Sequence, residues 1–399
     1  METKILKDNM DEAARIIAAG GLVAVPTETV YGIAGNGLDE NAVEAIYELK
    51  GRPQIKPLAL MVPNACAMEK YCEDVPRQAK LLAEKFWPGP LSIVLKSKDI
   101  VPDIVRAGGE TVSLRCPKHP LTLKALELSE LPFAAPSANP SGSPSPKNAE
   151  TVMEYFEGKI PAVIDGGECT LGIESTIIDM SRTPYKILRQ GALPEKEIAA
   201  ALAEKLNIIG ITGGTGCGKT SLLGELKKLG ALIIDCDELY HRMLDSNTEM
   251  LADIENAFPG LTENGALDRK ALGKIVFNDE KKLAILNEIT HRHIGMELDR
   301  ILADYAMNGG RVAAIDAIAL IESGIAKRCS TLIAVTADRE KRIERIMQRD
   351  GIDRAYAELR VDAQKNASYY EDKCDYVITN NSTEENFRIE CKKLLKEVL

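Results

Sequence analysis

The residues best suited to chemistry in this chain lie in the segment 207–220, which reads NIIGITGGTGCGKT. Its β-branched start predicts a short buried strand, and the apolar spacing that follows Ser221 predicts a helix. The turn between them has the P-loop pattern Gly-x-x-x-x-Gly-Lys-Thr, which begins at Gly213. The glycine-rich backbone and the helix N-terminus can bind an anion, Lys219 can reach the β- and γ-phosphates, and Thr220 can ligate Mg²⁺. The segment therefore predicts a binding site for a nucleoside triphosphate.

Two carboxylates follow the next predicted strand, and their position beside the P-loop suits phosphoryl transfer. The strand 231–234 is wholly apolar and runs into Asp235-Cys236-Asp237. Because Asp235 and Asp237 stand two residues apart at a strand end, we expect both side chains to leave the strand on the same side. One of them can accept the proton of an attacking hydroxyl, and the other can lie near Mg²⁺.

A strongly basic helix is predicted at 339–349, beyond the fourth strand of the C-terminal half. Arg342, Arg345 and Arg349 are spaced three and four residues apart, so they lie on one face of that helix. A charged helix that only faces solvent would show the same spacing. We favour a lid that closes over the phosphates, because arginines beside a P-loop can stabilise a transferring phosphoryl group.

Length and charge limit the classes of protein that the chain can form. The 399 residues are enough for two or three domains, and about half of them precede the P-loop. The N-terminal half therefore needs an explanation of its own. Residues 1–205 contain 23 lysines and arginines against 28 acidic residues, and the remainder contains 27 against 32. Each half thus has a net charge of −5, without the basic surplus that a nucleic-acid-binding surface needs.

Cysteine usage points to a reducing compartment, and hydropathy points to a protein outside the membrane. Nine cysteines are scattered singly without a CxxC pair, which argues against a disulfide framework and against a zinc ribbon. No apolar run reaches the length that spans a membrane, and the N-terminal segment METKILKDNMDE does not resemble a signal peptide. We therefore expect a cytoplasmic protein that does not contact the membrane.

The N-terminal half presents polar turns and cations where predicted strands and helices end. A buried strand at 22–25 leads into the polar turn 27–32, and ligands of open α/β sheets collect at such strand ends. The next helix leads into a loop, bracketed by glycine and prolines, that contains Lys50, Arg52 and Lys56. This loop can be a rigid anion-binding loop or an exposed basic loop, and its charge alone favours neither interpretation.

A segment rich in serine and proline, 136–146, follows the predicted strand 132–135. Its composition is typical of a flexible interdomain linker. Strand-like sequence resumes beyond it, at 162–164, 173–179 and 185–188. Because structured chain lies on both sides, we interpret the segment as a functional loop within one N-terminal domain.

Seven ordered motifs of the N-terminal half are similar to those of one enzyme family. They read PTETVYG, KGRP, WPGP, SLR, PSANPSG, GIESTIID and LRQG, and they resemble the YrdC-like threonylcarbamoyl-AMP synthases over residues 8–195. The resemblance implies an activity that converts ATP, bicarbonate and L-threonine into threonylcarbamoyl-AMP and pyrophosphate. It also implies that the product is passed to the transferase machinery that makes the tRNA modification t6A, next to the anticodon.

The same resemblance assigns roles to residues of these motifs. It implies a nucleotide-binding set that consists of Lys50, Arg52, Lys56, Thr111, Asn139, Ser145 and Arg189. It implies a threonine-binding set that consists of Thr29, Arg115, Ser137 and Ser175. Within the second set, Arg115 would grip the threonine carboxylate bidentately. Many family members have a histidine where this chain has Met61, so the amino-acid side of the site departs from the usual pattern.

The C-terminal half resembles a second family. The motifs GITGGTGCGKT, IIDCD, LDRKALGKIVF, QRDGI and CDYVITNN occur in the order found in dephospho-coenzyme A kinases, from Asn207 to the C-terminus. The LDRKALGKIVF block separates this family from shikimate kinases, which share the P-loop and the paired aspartates. The resemblance implies transfer of a phosphoryl group from MgATP to the ribose 3′-hydroxyl of dephospho-CoA.

This second resemblance also assigns residues. It implies Asp237 as the general base, Asp235 as its support and Lys219 as a catalytic cation. The implied nucleotide-binding set consists of Gly216, Cys217, Gly218, Lys219, Thr220, Ser221, Arg345 and Arg349. The chain departs from the family pattern at 317–322 and at Arg292, both on the acceptor side.

We therefore predict a bifunctional enzyme of the α/β class, with domains at 1–206 and 207–399. The first domain is expected to form a YrdC-like twisted open sheet with flanking helices. The second is expected to form a P-loop kinase with a parallel sheet, a lid and a helical acceptor subdomain. The expected ligands are ATP with Mg²⁺, L-threonine, bicarbonate and dephospho-CoA, without stable nucleic-acid binding. The alternative is an RNA- or nucleotide-binding module fused to a different P-loop small-molecule kinase.

Overall fold

The computed structural model describes residues 2–263, 266–277 and 279–399 of the chain. These residues form two compact units, each with its own sheet and its own buried core. The first unit consists of residues 2–202 together with 307–309, and the second of the described residues of 203–306 and 310–399. Both units combine helices and strands, which confirms the predicted α/β class.

In the residues that the structure describes, the first unit is built on one open sheet of ten strands. The strands are β1 Lys4–Leu6, β2 Val23–Val25, β3 Gly32–Asn36, β4 Ala59–Met61, β5 Leu91–Lys96, β6 Thr111–Arg115, β7 Phe133–Ala134, β8 Ala162–Ile164, β9 Thr176–Asp179 and β10 Lys186–Arg189. Their order across the sheet is β1-β8-β2-β3-β7-β4-β6-β5-β9-β10. The sheet is mixed, since β4 and β6 are parallel whereas β5 and β6 are antiparallel.

Helices flank this sheet and cover its apolar surface. They are α1 Met10–Ala18, α2 Glu40–Lys50, α3 Ala67–Tyr71, α4 Arg77–Phe86, α5 Asp103–Arg106, α6 Pro120–Ser129, α7 Ala149–Phe156 and α8 Glu195–Ala203. Residues 10, 13, 14 and 17 of α1 are buried, as the helical spacing of its apolar residues requires. One core cluster joins Ile17 of α1 to Leu126 of α6 and Phe133 of β7.

The ends of helix α2 fix the start of the basic loop. Asp39 caps the N-terminus by accepting a hydrogen bond from the backbone N–H of Asn41 at 3.0 Å. Gly51 ends the helix with a φ of +57°, a left-handed conformation that glycine adopts without steric cost. The chain therefore turns directly from Lys50 into Arg52, at the rim of the site described below.

The serine- and proline-rich segment 136–146 is part of the first unit, which confirms that it is not a linker. Ser137 bridges to Gly32 at the start of β3, and the backbone N–H of Ala138 donates to the carbonyl of Tyr31 at 2.7 Å. Ala138 is fully buried. The segment is therefore fixed against the polar turn 27–32, and the two together form one wall of a cavity.

The second unit is built, as far as the chain is described, on a parallel sheet of five strands and a separate short hairpin. The strands are β11 Asn207–Thr212, β12 Leu232–Asp235, β13 Thr262–Glu263, β14 Ala266–Leu267, β15 Val312–Asp316, β16 Thr331–Thr336 and β17 Tyr376–Thr379. The order across the larger sheet is β12-β15-β11-β16-β17, and all its neighbours are parallel. This confirms the predicted parallel sheet, with the P-loop strand β11 at its centre.

Helices of this unit cover the sheet, and others form a separate helical subdomain. They are α9 Lys219–Lys228, α10 Cys236–Ser246, α11 Thr248–Ala257, α12 Arg269–Val276, α13 Glu280–Met307, α14 Arg339–Asp350, α15 Arg354–Asp362, α16 Ala367–Glu371 and α17 Glu384–Val398. The core joins Ile209 of β11 to Leu226 of α9 and Phe387 of α17. No helix in the described parts of the chain combines the length and apolar character needed to cross a membrane.

Candidate active sites

The first unit contains a cavity of about 290 Å³ where β4 and β6 meet the turn 27–32 and the segment 136–146. Six residues predicted from the sequence line this cavity: Thr29, Arg52, Arg115, Ser137, Ser175 and Arg189. Part of its wall is apolar and includes Leu58, Met61 and Ile177. The cavity thus brings together the arginines predicted for phosphates and the arginine predicted for a carboxylate.

Arg115 ends β6, and its guanidinium is held by three neighbours. Its Nη2 lies 2.9 Å from Oε1 of Glu28 and donates to Oγ1 of Thr29 at 2.8 Å. Its Nε donates to the carbonyl oxygen of Gly89 at 3.2 Å. These three contacts engage Nη2 and Nε of the guanidinium group. A bidentate grip through Nη1 and Nη2 would require Nη2 to share one of its present contacts.

Glu28 is a residue of this site that the sequence did not lead us to predict. Its side chain is 6% exposed, and its Oε2 accepts a hydrogen bond from the backbone N–H of Lys118 at 2.9 Å. A buried carboxylate needs a cationic partner, and Arg115 provides it. A carboxylate in a polar turn directly after a buried strand was the signal that could have revealed the pair.

Lys50 lies beneath the segment 136–146 and does not line the cavity. Its ammonium group donates hydrogen bonds to the carbonyl oxygens of Ser137 and Asn139. Burial lowers the pKa of Lys50 to about 8, since the charged form is deprived of water. Lys50 therefore holds the segment in place, and its predicted contact with a nucleotide would require that segment to move.

Two further arginines face the cavity and remain partly buried. Arg52 donates through Nη2 to the carbonyl oxygen of Pro57 at 3.0 Å. Arg189 donates through Nη2 to the carbonyl oxygen of Ser175 at 2.8 Å and is paired through Nη1 with Glu174. Burial lowers the pKa of both guanidinium groups below the usual value. Both groups still carry their charge at neutral pH, which suits them to phosphate oxygens.

Four other predicted residues lie outside the cavity lining: Lys56, Thr111, Asn139 and Ser145. Thr111 begins β6 and Arg115 ends it, so about 13 Å of strand separates the two positions. Lys56 is exposed on the basic loop. Asn139 donates to the carbonyl oxygens of two residues of its own loop, and the hydroxyl of Ser145 donates to Oε1 of Glu174 at 3.1 Å.

The second unit contains a cavity of about 580 Å³ over the P-loop. Eight residues predicted from the sequence line it: Gly216, Gly218, Lys219, Thr220, Asp235, Asp237, Arg345 and Arg349. Two predicted residues do not line it. Cys217 is 3% exposed and belongs to the hydrophobic core, because the loop turns its side chain inward. Ser221 lies in the first turn of α9, outside the cavity lining.

The P-loop has a backbone that only glycine can adopt. Gly213 has a φ of +133°, and a β-carbon there would collide with the carbonyl oxygen of Val335. Gly218 has a φ of +95° immediately before α9, so the helix N-terminus opens onto the cavity. The ammonium group of Lys219 donates to the carbonyl oxygen of Gly213 at 3.0 Å, which holds it across the loop. The loop therefore has the backbone geometry that the predicted anion site requires.

Asp316 is the main residue of this cavity that we did not predict. It ends β15, the strand next to β11, and its Oδ1 lies 3.7 Å from Nζ of Lys219. Burial raises the pKa of Asp316 to about 6, against the opposing charge of Lys219. An aspartate directly at the end of an apolar strand was the available signal.

Asp235 and Asp237 do not leave one strand side by side, which corrects the predicted geometry. Asp235 is the last residue of β12 and also the N-cap of α10. Its Oδ1 accepts hydrogen bonds from the backbone N–H groups of Asp237 and Glu238, at 2.9 and 3.0 Å. Aspartate is a preferred N-cap residue, so the helix starts directly after the strand and Asp237 falls in its first turn. Both carboxylates nevertheless line the cavity.

The basic face of α14 holds the P-loop as well as facing the cavity. Arg342, which is 8% exposed, donates through Nε to the carbonyl oxygen of Thr215 at 3.0 Å and through Nη2 to Gln364 at 2.5 Å. Arg345 donates to the carbonyl oxygen of Gly216 at 3.2 Å. Arg342 therefore supports the P-loop. Arg345 contacts the P-loop and also lines the cavity.

Two further arginines line the cavity, one from α14 and one from α15. Arg349 lines the cavity and is paired with its neighbour Asp350. Arg360 of α15 also lines the cavity and is paired with Asp350 at 2.6 Å, although we did not predict it. Asp350 thus links the two helices that carry these guanidinium groups.

Two of the departures from the family patterns line the cavities, and the third lies in the helical subdomain of the second unit. Met61 lines the cavity of the first unit. Ile318, within the segment 317–322, lines the cavity of the second. Arg292 is paired with Asp253 at 2.5 Å, and Nε2 of the buried His293 lies 2.7 Å from the same carboxylate oxygen. Arg292 therefore joins α13 to α11 within the helical subdomain.

The folds and cavities define an α/β protein with two cavities lined by cationic side chains, one of which lies over a P-loop. Two family models match the chain. The telomere recombination family of Sua5, YciO and YrdC proteins matches residues 15–191, and the dephospho-CoA kinase family CoaE matches residues 207–386.

Individual relatives agree with these two matches. The chain is 50% identical over 192 residues to the threonylcarbamoyl-AMP synthase of Pyrococcus abyssi, a match that covers 48% of this chain and 56% of that protein. It is 36% identical over 203 residues to a putative threonylcarbamoyl-AMP synthase of Methanocaldococcus jannaschii, covering 49% of this chain and 95% of that protein. It is 39% identical over 182 residues to the dephospho-CoA kinase of Geobacter sulfurreducens, covering 45% of this chain and 92% of that protein.

The chain therefore belongs to both families, with its N-terminal half in the Sua5, YciO and YrdC family and its C-terminal half in the dephospho-CoA kinase family. This confirms the two resemblances found in the sequence. The chain spans only about half the length of the first curated synthases that it matches.

Proposed function

We propose that this chain is a bifunctional enzyme with one ATP-dependent reaction in each unit. The first unit would convert ATP, L-threonine and bicarbonate into threonylcarbamoyl-AMP and pyrophosphate. The product would then pass to the machinery that makes t6A in tRNA. The second unit would phosphorylate the ribose 3′-hydroxyl of dephospho-CoA with ATP, which yields CoA and ADP.

In the first unit, different arginines of the cavity would bind different substrates. Arg52 and Arg189 would bind the phosphates of ATP, since planar guanidinium groups match phosphate oxygens in charge and geometry. Arg115 would bind the carboxylate of threonine, with Thr29 and Ser175 nearby. The carbamate oxygen formed on threonine could then attack the α-phosphate while pyrophosphate leaves. Most of the catalysis would come from this positioning and from charge neutralisation.

In the second unit, the P-loop amides and Lys219 would bind the β- and γ-phosphates. Asp237 would accept the proton of the attacking hydroxyl, and Asp235 would hold the helix turn that carries it. Arg345, Arg349 and Arg360 line the cavity and would stabilise charge on the transferring group. This division of roles matches the donor and acceptor groups that in-line phosphoryl transfer needs.

Mg²⁺ bound with ATP fits the donors of this second cavity. The hydroxyl of Thr220 and the carboxylate of Asp316 line it, and Oδ1 of Asp316 is buried with no hydrogen-bond partner among the described residues. Mg²⁺ prefers such oxygen donors and usually takes one or two carboxylates together with substrate phosphates. Within the described residues, no group of three or more histidine, cysteine or acidic residues could hold a metal alone. When bound, Mg²⁺ would neutralise charge on the phosphates.

The observation that carries the proposal is the presence of two cavities in two separate units, each lined by its own arginines and by different polar groups. Neither half has the basic surplus of a nucleic-acid-binding protein, so we propose no stable binding of tRNA.

Mass spectrometry of reaction products tests both activities directly. We expect threonylcarbamoyl-AMP from ATP, threonine and bicarbonate, and CoA from ATP and dephospho-CoA. Nucleotide binding without a threonine-dependent product would favour the alternative of a binding module in the first unit. Phosphorylation of another acceptor in preference to dephospho-CoA would show that the second unit is a different small-molecule kinase.

A further inference from the structure

Glu174 is the only carboxylate among the described residues that line the cavity of the first unit. The described lining contains no histidine, cysteine or lysine either. Tyr31 also lines the cavity, but its hydroxyl donates to the carbonyl oxygen of Gly167, and burial raises its pKa to about 12. Among the side chains of the described lining, Glu174 is therefore the one that we consider as a proton acceptor.

Both oxygens of Glu174 are engaged by residues that we propose for the nucleotide. Oε1 accepts a hydrogen bond from the hydroxyl of Ser145 at 3.1 Å, and Oε2 is paired with Nη1 of Arg189. The carboxylate thus lies where the anionic groups of ATP would meet the same two side chains. It compensates the charge of a guanidinium group that is partly buried and needs an anion nearby.

A nucleotide would change this arrangement. A triphosphate carries more negative charge than one carboxylate and can bind a guanidinium group through several oxygens. It would therefore compete with Glu174 for Arg189 and repel the carboxylate. The side chain is 39% exposed, so it can leave its partners without crossing a packed core. Released in this way, Glu174 stays in the cavity that also contains Arg115.

The proposed reaction needs a group with these properties. Threonine binds with its α-amino group as an ammonium ion, and an ammonium ion has no lone pair for attack on bicarbonate. A carboxylate that accepts one proton yields the free amine and a neutral carboxylic acid. The amine and bicarbonate then give the carbamate and one water molecule, with a new N–C bond and no change of oxidation state. The carbamate oxygen remains available for the α-phosphate.

We propose that Glu174 is the general base of the first unit and that nucleotide binding makes it available. It is the counter-ion of Arg189 before ATP binds, and it binds the α-ammonium group of threonine and accepts its proton afterwards. This inference rests on the proposed synthase function. It also gives a physical reason for ATP to bind before threonine is activated.

Binding of inorganic pyrophosphate, measured by calorimetry, tests the counter-ion role without any turnover. Glu174→Gln removes the competing anion, so we expect pyrophosphate to bind roughly two- to fivefold more tightly, as for a partly exposed ion pair. Glu168→Gln is the matched control, because Glu168 is exposed on the preceding turn, outside the cavity lining. Equal or weaker binding by Glu174→Gln, relative to this control, would overturn the counter-ion role.

The pH dependence of pyrophosphate release tests the general-base role. We expect Glu174→Gln to lose about 10²–10⁴-fold in rate near neutral pH. The loss should shrink as the pH approaches the pKa of the amino group, where free amine no longer needs a base. Glu174→Asp should keep part of the rate. A loss that is the same at every pH would show a merely structural role, and a normal rate would overturn the proposal. If the unmodified chain releases no threonine-dependent pyrophosphate, the synthase function itself is wrong.

Discussion

Glu28 and Arg115 form an ion pair that is almost entirely removed from water. Oε1 of Glu28 and Nη2 of Arg115 are 2.9 Å apart, and the two side chains are 6% and 8% exposed. In such a site each charge depends on the other, because removal of one partner leaves an unpaired buried charge. The pair therefore fixes the guanidinium group that faces the cavity of the first unit.

The first prediction concerns this pair. Glu28→Gln should destabilise the first unit by about 3–5 kcal/mol, the usual cost of breaking a buried ion pair from one side. It should also raise the KM for threonine, since the guanidinium of Arg115 would lose its orientation. Glu12→Gln is the control, because it changes the exposed pair of Glu12 with Lys4. Chemical denaturation and threonine saturation would measure both effects. Equal stability of the two variants would contradict the role assigned to the pair.

The second prediction concerns pH and Asp316. Its pKa in the folded protein is raised to about 6, above the ordinary value of 3.8, mainly because burial disfavours the charged form. The folded state then binds the proton more tightly than the unfolded state. The contribution of Asp316 to the free energy of unfolding is therefore fully present below its pKa in the unfolded state. It is lost as the pH rises through its pKa in the folded state. The loss should be on the order of 3 kcal/mol.

Thermal unfolding in EDTA, between about pH 4 and pH 7, tests this effect. The second unit should become less stable over that range in the unmodified chain. Asp316→Asn should flatten the dependence and raise the Tm at neutral pH, while it lowers the kinase rate. Parallel Tm curves for the two proteins would show that Asp316 is not the group responsible.

Several features were predictable because short stretches of sequence determine them. The apolar β-branched run of β11 and the glycine pattern after it are sufficient for a strand followed by a P-loop. Asp39 and Gly51 likewise mark the ends of α2. Strand β3 was missed, because its sequence GIAGN has a single β-branched residue among two glycines and an asparagine, which disfavour a strand.

Contacts between distant parts of the chain were not predictable in this way. Asp316 meets Lys219 only because β15 lies next to β11, and no local pattern specifies that strand order. Lys50 meets the segment 136–146 through the sheet arrangement as a whole. The predicted geometry of Asp235 was wrong for a local reason. Aspartate is a preferred N-cap residue, so α10 begins directly after the strand. The residue types of the sites could thus be predicted, but not all of their partners.

The third prediction is that residues 1–206 and 207–399, each expressed alone, fold into stable proteins. Each unit has a sheet and a hydrophobic core of its own, and either length suffices for an independent domain. Each half should show a single cooperative transition by calorimetry. Halves that are insoluble or molten alone and recover only when mixed would contradict the predicted boundary.

The fourth prediction separates the two aspartates of the second unit. Asp237→Asn should lower the kinase rate by about 10²–10⁴-fold with little change in ATP affinity, because it removes the proposed base. Asp235→Asn should instead shift the Mg²⁺ requirement, because it removes a negative charge from the cavity that Thr220 and Asp316 also line, while asparagine still caps α10. Rates measured against Mg²⁺ concentration would distinguish the two. If Asp237→Asn were nearly normal and Asp235→Asn were slow at saturating Mg²⁺, the roles assigned to the two aspartates would have to be exchanged.

The independence of the two sites is tested most directly by measuring both reactions on the same preparations of Lys219→Ala and Arg52→Ala. Lys219 belongs to the P-loop cavity and Arg52 to the cavity of the first unit. We predict that Lys219→Ala abolishes CoA formation and leaves threonine-dependent pyrophosphate release unchanged, and that Arg52→Ala has the opposite effect. Loss of both activities together in either variant, with the fold confirmed by circular dichroism, would contradict two separate ATP sites.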